Sequence, residues 1–150
     1  MTNETNQALN KITASLDRTN KFTTYLNMGN HQAIADEPRE VGGKDLGPTP
    51  YQFVGGGLAA CTALTIQMYA KRKNWELTNV TVHVDYSRNY IIDCEDCENP
   101  SAKIETFLLE VKLEGNLTTL QKERLMQIGE KCPVHKTLQN EVQILSTLVL

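Results

Sequence analysis

The sequence predicts an α+β fold built on antiparallel strands, and three stretches of the chain predict it. Val80, Val82, Val84 and Tyr86 alternate with polar neighbours, and Phe107, Leu109, Val111 and Leu113 repeat the pattern, the period-two mark of half-buried strands. Ahead of them, Thr49-Pro50-Tyr51-Gln52 opens a long run of small and apolar residues with the start signals of a helix. Thr118 to Lys131 then reads as an amphipathic helix with Leu120, Leu125, Met126 and Ile128 inward. At 150 residues and 16.8 kDa the chain is long enough to bury its own core, and residues 1–150 are expected to form a single domain.

In chain order, residues 1–7 read as a loose terminus. Leu9, Ile12, Ala14 and Leu16 give a first strand, Asp17 to Lys21 a polar turn, and Phe22 to Met28 a second strand. A third, around Gln32 to Ala35, ends at Asp36-Glu37-Pro38, where the acidic pair reads as a solvated strand end. Arg39 to Thr49 holds Gly42, Gly43, Gly47 and Pro48, a loop composition long enough to carry function. The helix that follows has Thr49 as N-cap, Pro50 at its first position and Gln52 placed to close a capping box, and should run to Arg72 or Lys73. The two long strands are joined through Asp93 to Ala102. Cys132-Pro133 ends the amphipathic helix and opens a short one, and Val142 to Leu150 should close the chain as an apolar strand.

Three consecutive glycines, Gly55 to Gly57, each cost a helix about 1 kcal/mol relative to alanine, so a close contact must compensate. Gly55, Ala59 and Ala63 form one stripe and Gly56, Ala60 and Leu64 the next. This smooth side suits a second helix or the symmetry mate of the same helix, and predicts an intertwined dimer. A helix lying flat on its own sheet is the alternative.

The 15 basic and 18 acidic side chains are interspersed and sum to a net charge of -3, which argues against nucleic acid and anionic membrane as partners. Met1 to Asn10 are polar, without a basic or an apolar leader region, and no stretch approaches the roughly 18 apolar residues of a membrane span. These features point to the cytoplasm. There, thiols are kept reduced, so the four cysteines bear on reactivity more than on architecture.

Cys61 sits deep in the glycine-rich helix, on the face of Gly57, Leu58, Thr65 and Met68, and can be read either as a small core residue or as a nucleophile. Cys132 stands where an N-cap stands, before Pro133 and beside Lys131, His135 and Lys136, a surround that favours a thiolate. Its other reading is a plain cap. Cys61 lies too far into its helix for the dipole to help, so a lowered pKa there needs a cation from elsewhere; Arg18, Arg39 and Arg88 are the candidates. Cys94 and Cys97, two residues apart in a strand connection, fit an exposed loop, a shared metal site or a local disulfide. His83 falls on a polar strand face, and His135 is the one histidine placed to tune a thiol.

Gly42-Gly43-Lys44-Asp45-Leu46-Gly47-Pro48-Thr49-Pro50-Tyr51, the small-residue helix through Ala59-Ala60-Cys61-Thr62, and Cys132-Pro133-Val134-His135 together resemble the OsmC/Ohr family over roughly residues 22 to 149. The resemblance implies antiparallel sheets wrapped around long central helices, an intimate homodimer with active sites at the subunit interface, and no cofactor or metal. It implies thiol-dependent reduction of organic hydroperoxides, with Cys61 at the peroxidatic position and Cys132 at the resolving one, and a dithiol or lipoylated protein as reductant. Arg18 falls near the family's activating arginine. Tyr51 stands where the family's peroxidases carry a glutamate after the proline, so the chain resembles the OsmC-like branch more than the well-marked hydroperoxide reductases. A dimer that binds a small hydrophobic or electrophilic molecule, its thiols acting as sensors, is the other reading.

Overall fold

A computed structural model describes residues 11–90 and 103–150, with 88–90 and 103–104 as backbone only. The expected loose terminus at residues 1–7, the strand connection Asp93 to Ala102 and the pair Cys94 and Cys97 lie outside the described residues. The chain divides into two compact units, residues 1–54 and 55–150.

The N-terminal unit is a meander of three antiparallel strands, β1 (Ile12–Ser15), β2 (Thr24–Met28) and β3 (His31–Ala35). The turn expected at Asp17 to Lys21 is a 3-10 turn capped by the Asp17 side chain. After β3 the chain folds back on itself around Asp36. This residue corrects the reading of a solvated strand end: it is only 2% exposed. Its carboxylate accepts from the Thr23 hydroxyl at 3.0 Å and from the backbone N–H groups of Glu37 and Leu46 at 2.8 and 3.3 Å, with Lys44 N at 3.5 Å. A tight loop leaves donors without ladder partners, and a buried carboxylate collects them. Any side chain at Gly43 would overlap the Glu37 carbonyl, so the loop can close only with glycine there.

Helix α1 (Pro50–Arg72) begins as the sequence dictates. Thr49 N donates to the Gln52 side chain at 2.8 Å and Gln52 N to the Thr49 hydroxyl at 3.3 Å, the reciprocal pair of a capping box. Contrary to the expectation that no stretch approaches a membrane span, α1 is long and apolar enough to cross one, with a mean hydropathy of 1.3 over its most apolar window. Its Leu58, Thr62, Ile66 and Ala70, however, form a buried stripe at helical spacing, and Ile66 and Ala70 belong to the core.

The second unit pairs β4 (Glu76–Tyr90) with β5 (Lys103–Asn116), antiparallel, Val80 opposite Leu113, Val84 opposite Leu109 and Tyr86 opposite Phe107. Helix α2 (Thr119–Gly129) starts from a Thr118 to Gln121 capping box. Leu125 is fully buried beside Ile66, whereas Leu120, expected inward, is 77% exposed because it falls in the first turn, short of the core. Helix α3 (Pro133–Gln139) follows.

The segment Val142 to Leu150 departs from expectation. It forms no strand, and Ile144, Leu148 and Val149 are each more than four-fifths exposed. A strand needs a neighbour for its backbone groups, and none of the described strands pairs with this one.

Candidate functional site

The glycine run of α1 splits between two environments. Gly55 is buried and a Cβ placed on it would touch Val84 Cγ1 at 3.6 Å, the flat-on-sheet arrangement. At Gly56 and Gly57 a Cβ would meet nothing within 4 Å. Their stripe continues through exposed Ala60, Leu64 and Met68, an uncovered side of the helix.

Cys61 is half-buried and carries a free thiol. Cys132, also free, is completely buried. As the sequence predicts, it is the N-cap of α3, its sulfur accepting from His135 N–H at 3.3 Å. That sulfur also lies 3.6 Å from the Thr62 hydroxyl. The fold therefore brings Cys132 against the residue that follows Cys61 on α1. Thr62 is the site residue that pattern reading passed over; its place on the buried stripe, next to Cys61, was the available signal. The close crossing of α2 over α1 makes this possible, because Gly129 leaves room where a Cβ would stand 3.1 Å from Thr62 Cγ2.

The link from His135 to Cys132 is made by the backbone, not by the imidazole. Ring atom Nδ1 is buried and has no hydrogen-bond partner among the described residues. His135 is also one of the residues lining a groove of about 700 Å3, with Thr62, Phe107, Leu109 and Met126 among the others. A second groove, about 280 Å3, shares Phe107, Leu109 and His135 and extends to Leu58 and Leu138. Cys61 lines neither.

Arg18 and Tyr51 belong to the N-terminal unit. Arg18 is exposed at the start of the 3-10 turn, and Tyr51 is half-exposed in the first turn of α1. Arg39 opens the second 3-10 turn, while the Arg88 side chain lies outside what the structure describes. His83 is exposed, as its strand position requires. Among the described residues there is no group of three or more metal-ligating side chains.

A family model described as "OsmC-like protein" matches residues 42–146. No curated protein matches the sequence. Among solved structures, an OsmC-like protein from Mycoplasma pneumoniae superimposes with a TM-score of 0.68 at 20% identity, over 87% of this chain and 86% of that one. An organic hydroperoxide resistance protein OsmC from Legionella pneumophila gives 0.62 at 21% identity, over 87% and 90%. An OsmC-like protein of unknown function from Vibrio cholerae gives 0.67 at 12% identity, over 87% and 94%. At these identities the likeness is one of fold: an α+β chain with antiparallel sheets, shared by proteins described as hydroperoxide resistance proteins and by one whose function is unknown.

Proposed function

This chain belongs to the OsmC-like protein family, and from that premise we propose that it is a cytoplasmic, cofactor-free, homodimeric thiol peroxidase that reduces organic hydroperoxides. Cys61 is the nucleophile: its thiolate attacks the distal peroxide oxygen, the O–O bond breaks, the alcohol leaves with a proton, and Cys61 becomes a sulfenic acid. The Cys132 thiol then displaces water to give a disulfide, which a small dithiol or a lipoylated protein reduces.

The observation that carries this reading is the burial of the Cys132 sulfur 3.6 Å from Thr62, one residue from Cys61. A contact to the residue next to Cys61 supports the pairing of the two free thiols. By correspondence with the family, Arg18 supplies the positive charge for the thiolate, and Tyr51, in the glutamate's place, offers a hydroxyl to the peroxide. Dimerisation is supported by the uncovered Gly56, Ala60 and Leu64 stripe and by the exposed apolar C-terminal segment.

The test is consumption of cumene hydroperoxide with dithiothreitol or dihydrolipoamide as reductant. Cys61→Ser should abolish turnover, and Cys132→Ser should allow one oxidation without efficient recycling. Wild-type protein that consumes no peroxide above background with either reductant removes the proposal. The second reading, a dimer that binds a small hydrophobic or electrophilic molecule, draws on Tyr51 in place of the glutamate and on the complete burial of Cys132; it predicts ligand binding with no peroxide consumption.

A further inference from the structure

Like charges gathered on a surface repel one another, and a cluster that no carboxylate answers attracts an anion. Tyr69, near the end of α1, gathers three cations: Arg72 Cζ lies 5.2 Å from its ring centroid, and Lys73 Nζ and Arg124 Cζ each lie 5.7 Å from it. Arg124 Nε also donates to the Tyr69 hydroxyl at 3.3 Å. Cation–π attraction holds each cation to the ring without lessening their mutual repulsion. Among the described residues, no salt bridge engages any of the three. The carbonyl end of α1 accounts for Arg72 and Lys73, but Arg124 comes from within α2 and has no such reason to be there. Tyr69 and Arg72 also line a groove of about 460 Å3, with Met68, Ile128, Lys131 and Pro133 among its other walls, a size that suits a small molecule. We infer that this groove binds a small organic phosphate monoester, its phosphate held by Arg72 in the field of Lys73, Arg124 and Lys131 and its apolar body laid along Met68, Ile128 and Pro133.

Charge and wall chemistry select the class. Two guanidinium and two ammonium groups exceed what one carboxylate neutralises, whereas a phosphate monoester carries close to two negative charges at neutral pH and offers three acceptor oxygens. A guanidinium meets two of those oxygens in a fork. Glu123 and Glu130, the sequence neighbours of Arg124 and Lys131, form no ion pair with them, so the balance stays positive. The walls are mainly apolar, and Met68 is 70% exposed. Such a surface favours an alkyl or aryl body over the bare anion, because the body takes apolar area out of water on both sides.

Neither Cys61 nor Cys132 lines this groove, so binding is measured in the Cys61→Ser protein, where failure of the redox reading leaves the result untouched. Octyl phosphate, inorganic phosphate, octanoate and octylammonium are compared by calorimetry, with the 13Cζ resonance of Tyr69 followed in parallel. Octyl phosphate should bind saturably and octylammonium should not. Inorganic phosphate, which lacks the body, and octanoate, which lacks the second charge, should each bind about tenfold more weakly or worse. The hydrogen bond from Arg124 and the charges of Arg124, Lys73 and Arg72 hold the Tyr69 phenol below its ordinary pKa, and bound phosphate should return it upward. Arg72→Gln, at an exposed position, should weaken octyl phosphate by about tenfold, and Arg72→Lys should recover part of that. No saturable binding, inorganic phosphate, octanoate or octylammonium binding as tightly as octyl phosphate, or an affinity unchanged in Arg72→Gln would overturn the assignment. So would binding confined to the monomer, which would make the groove part of a subunit interface. Retention on phosphatidic acid vesicles without binding of soluble octyl phosphate would overturn it in favour of a lipid surface.

Discussion

The sulfur of Cys132 and the hydroxyl of Thr62 lie 3.6 Å apart across 70 positions of sequence, tying the cap of α3 to the buried stripe of α1. Thr62 is 1% exposed and the cysteine 0%, so neither group has water to fall back on. Thr62→Val keeps the shape and removes the hydroxyl. It should cost about 0.5–1.5 kcal/mol in urea unfolding, and it should speed maleimide labelling of Cys132 in a background where Cys61, Cys94 and Cys97 are serine. Thr62→Ser should restore slow labelling. Equal stability and equal labelling in Thr62→Val would show that the contact contributes nothing.

Gly129 and Gly56 form a contrasting pair. Alanine in place of glycine gains about 1 kcal/mol of helix propensity. At Gly129 the new Cβ would stand 2.9 Å from Ile66 Cδ1 and 3.1 Å from Thr62 Cγ2, in a core where Ile66 is 0% exposed and cannot yield outward. Overpacking of that kind costs about 1–3 kcal/mol, so the clash wins and Gly129→Ala should be destabilising by about 1 kcal/mol net. At Gly56 nothing lies within 4 Å, and alanine should stabilise the isolated chain by about 0.5–1 kcal/mol. Denaturant midpoints of the two variants should move in opposite directions.

What could be read from the chain was whatever is decided locally. Thr49, Pro50 and Gln52 specify the start of α1 among themselves, and alternation specifies the β4 and β5 pair because one face of each strand must find the core. The helix-cap role of Cys132 was legible for the same reason. Asp36 was not, since its role depends on Thr23, Leu46 and a loop whose donors gather only after folding. Thr62 was overlooked because its partner is brought by α2 from far along the sequence. Val142 to Leu150 has strand composition, but composition fixes no partner, and the segment stays unpaired here.

Asp36 makes the N-terminal unit sensitive to acid. Burial pulls its carboxyl upward, but hydrogen bonds from Glu37 N–H, the Thr23 hydroxyl, and the Leu46 and Lys44 N–H groups prevail and hold it below the usual carboxylate range. A carboxyl lowered on folding contributes stability that is complete above its unfolded value and is lost as pH falls through its folded one. The loop of residues 37–47 should therefore loosen below about pH 4, with amide exchange at Leu46 and Glu37 rising first. Asp36→Asn should lower the melting temperature at neutral pH and flatten this acid limb. A variant with the wild-type acid profile would assign the limb to other groups.

The exposed end of the chain is the strongest internal argument for a second copy. Val142, Ile144, Leu145, Leu148, Val149 and Leu150 are all more than half exposed, so the segment offers apolar side chains to solvent along its length. Leaving such a segment in water is costly at roughly 25 cal/mol per Å2, and the open stripe of Gly56, Ala60 and Leu64 has the same need. A homodimer that covers both surfaces relieves both at once. Wild-type protein should then run as a dimer in light scattering across micromolar concentrations. Gly56→Leu should weaken the dimer by blocking the close approach of α1 to its mate, although its Cβ would meet nothing within 4 Å in its own chain. Ile144→Asp with Leu148→Asp should weaken it independently, with circular dichroism retained. Monomeric wild-type protein would leave these surfaces without a common explanation, and a response to the tail substitutions alone would place the interface at the C-terminus and leave α1 uncovered.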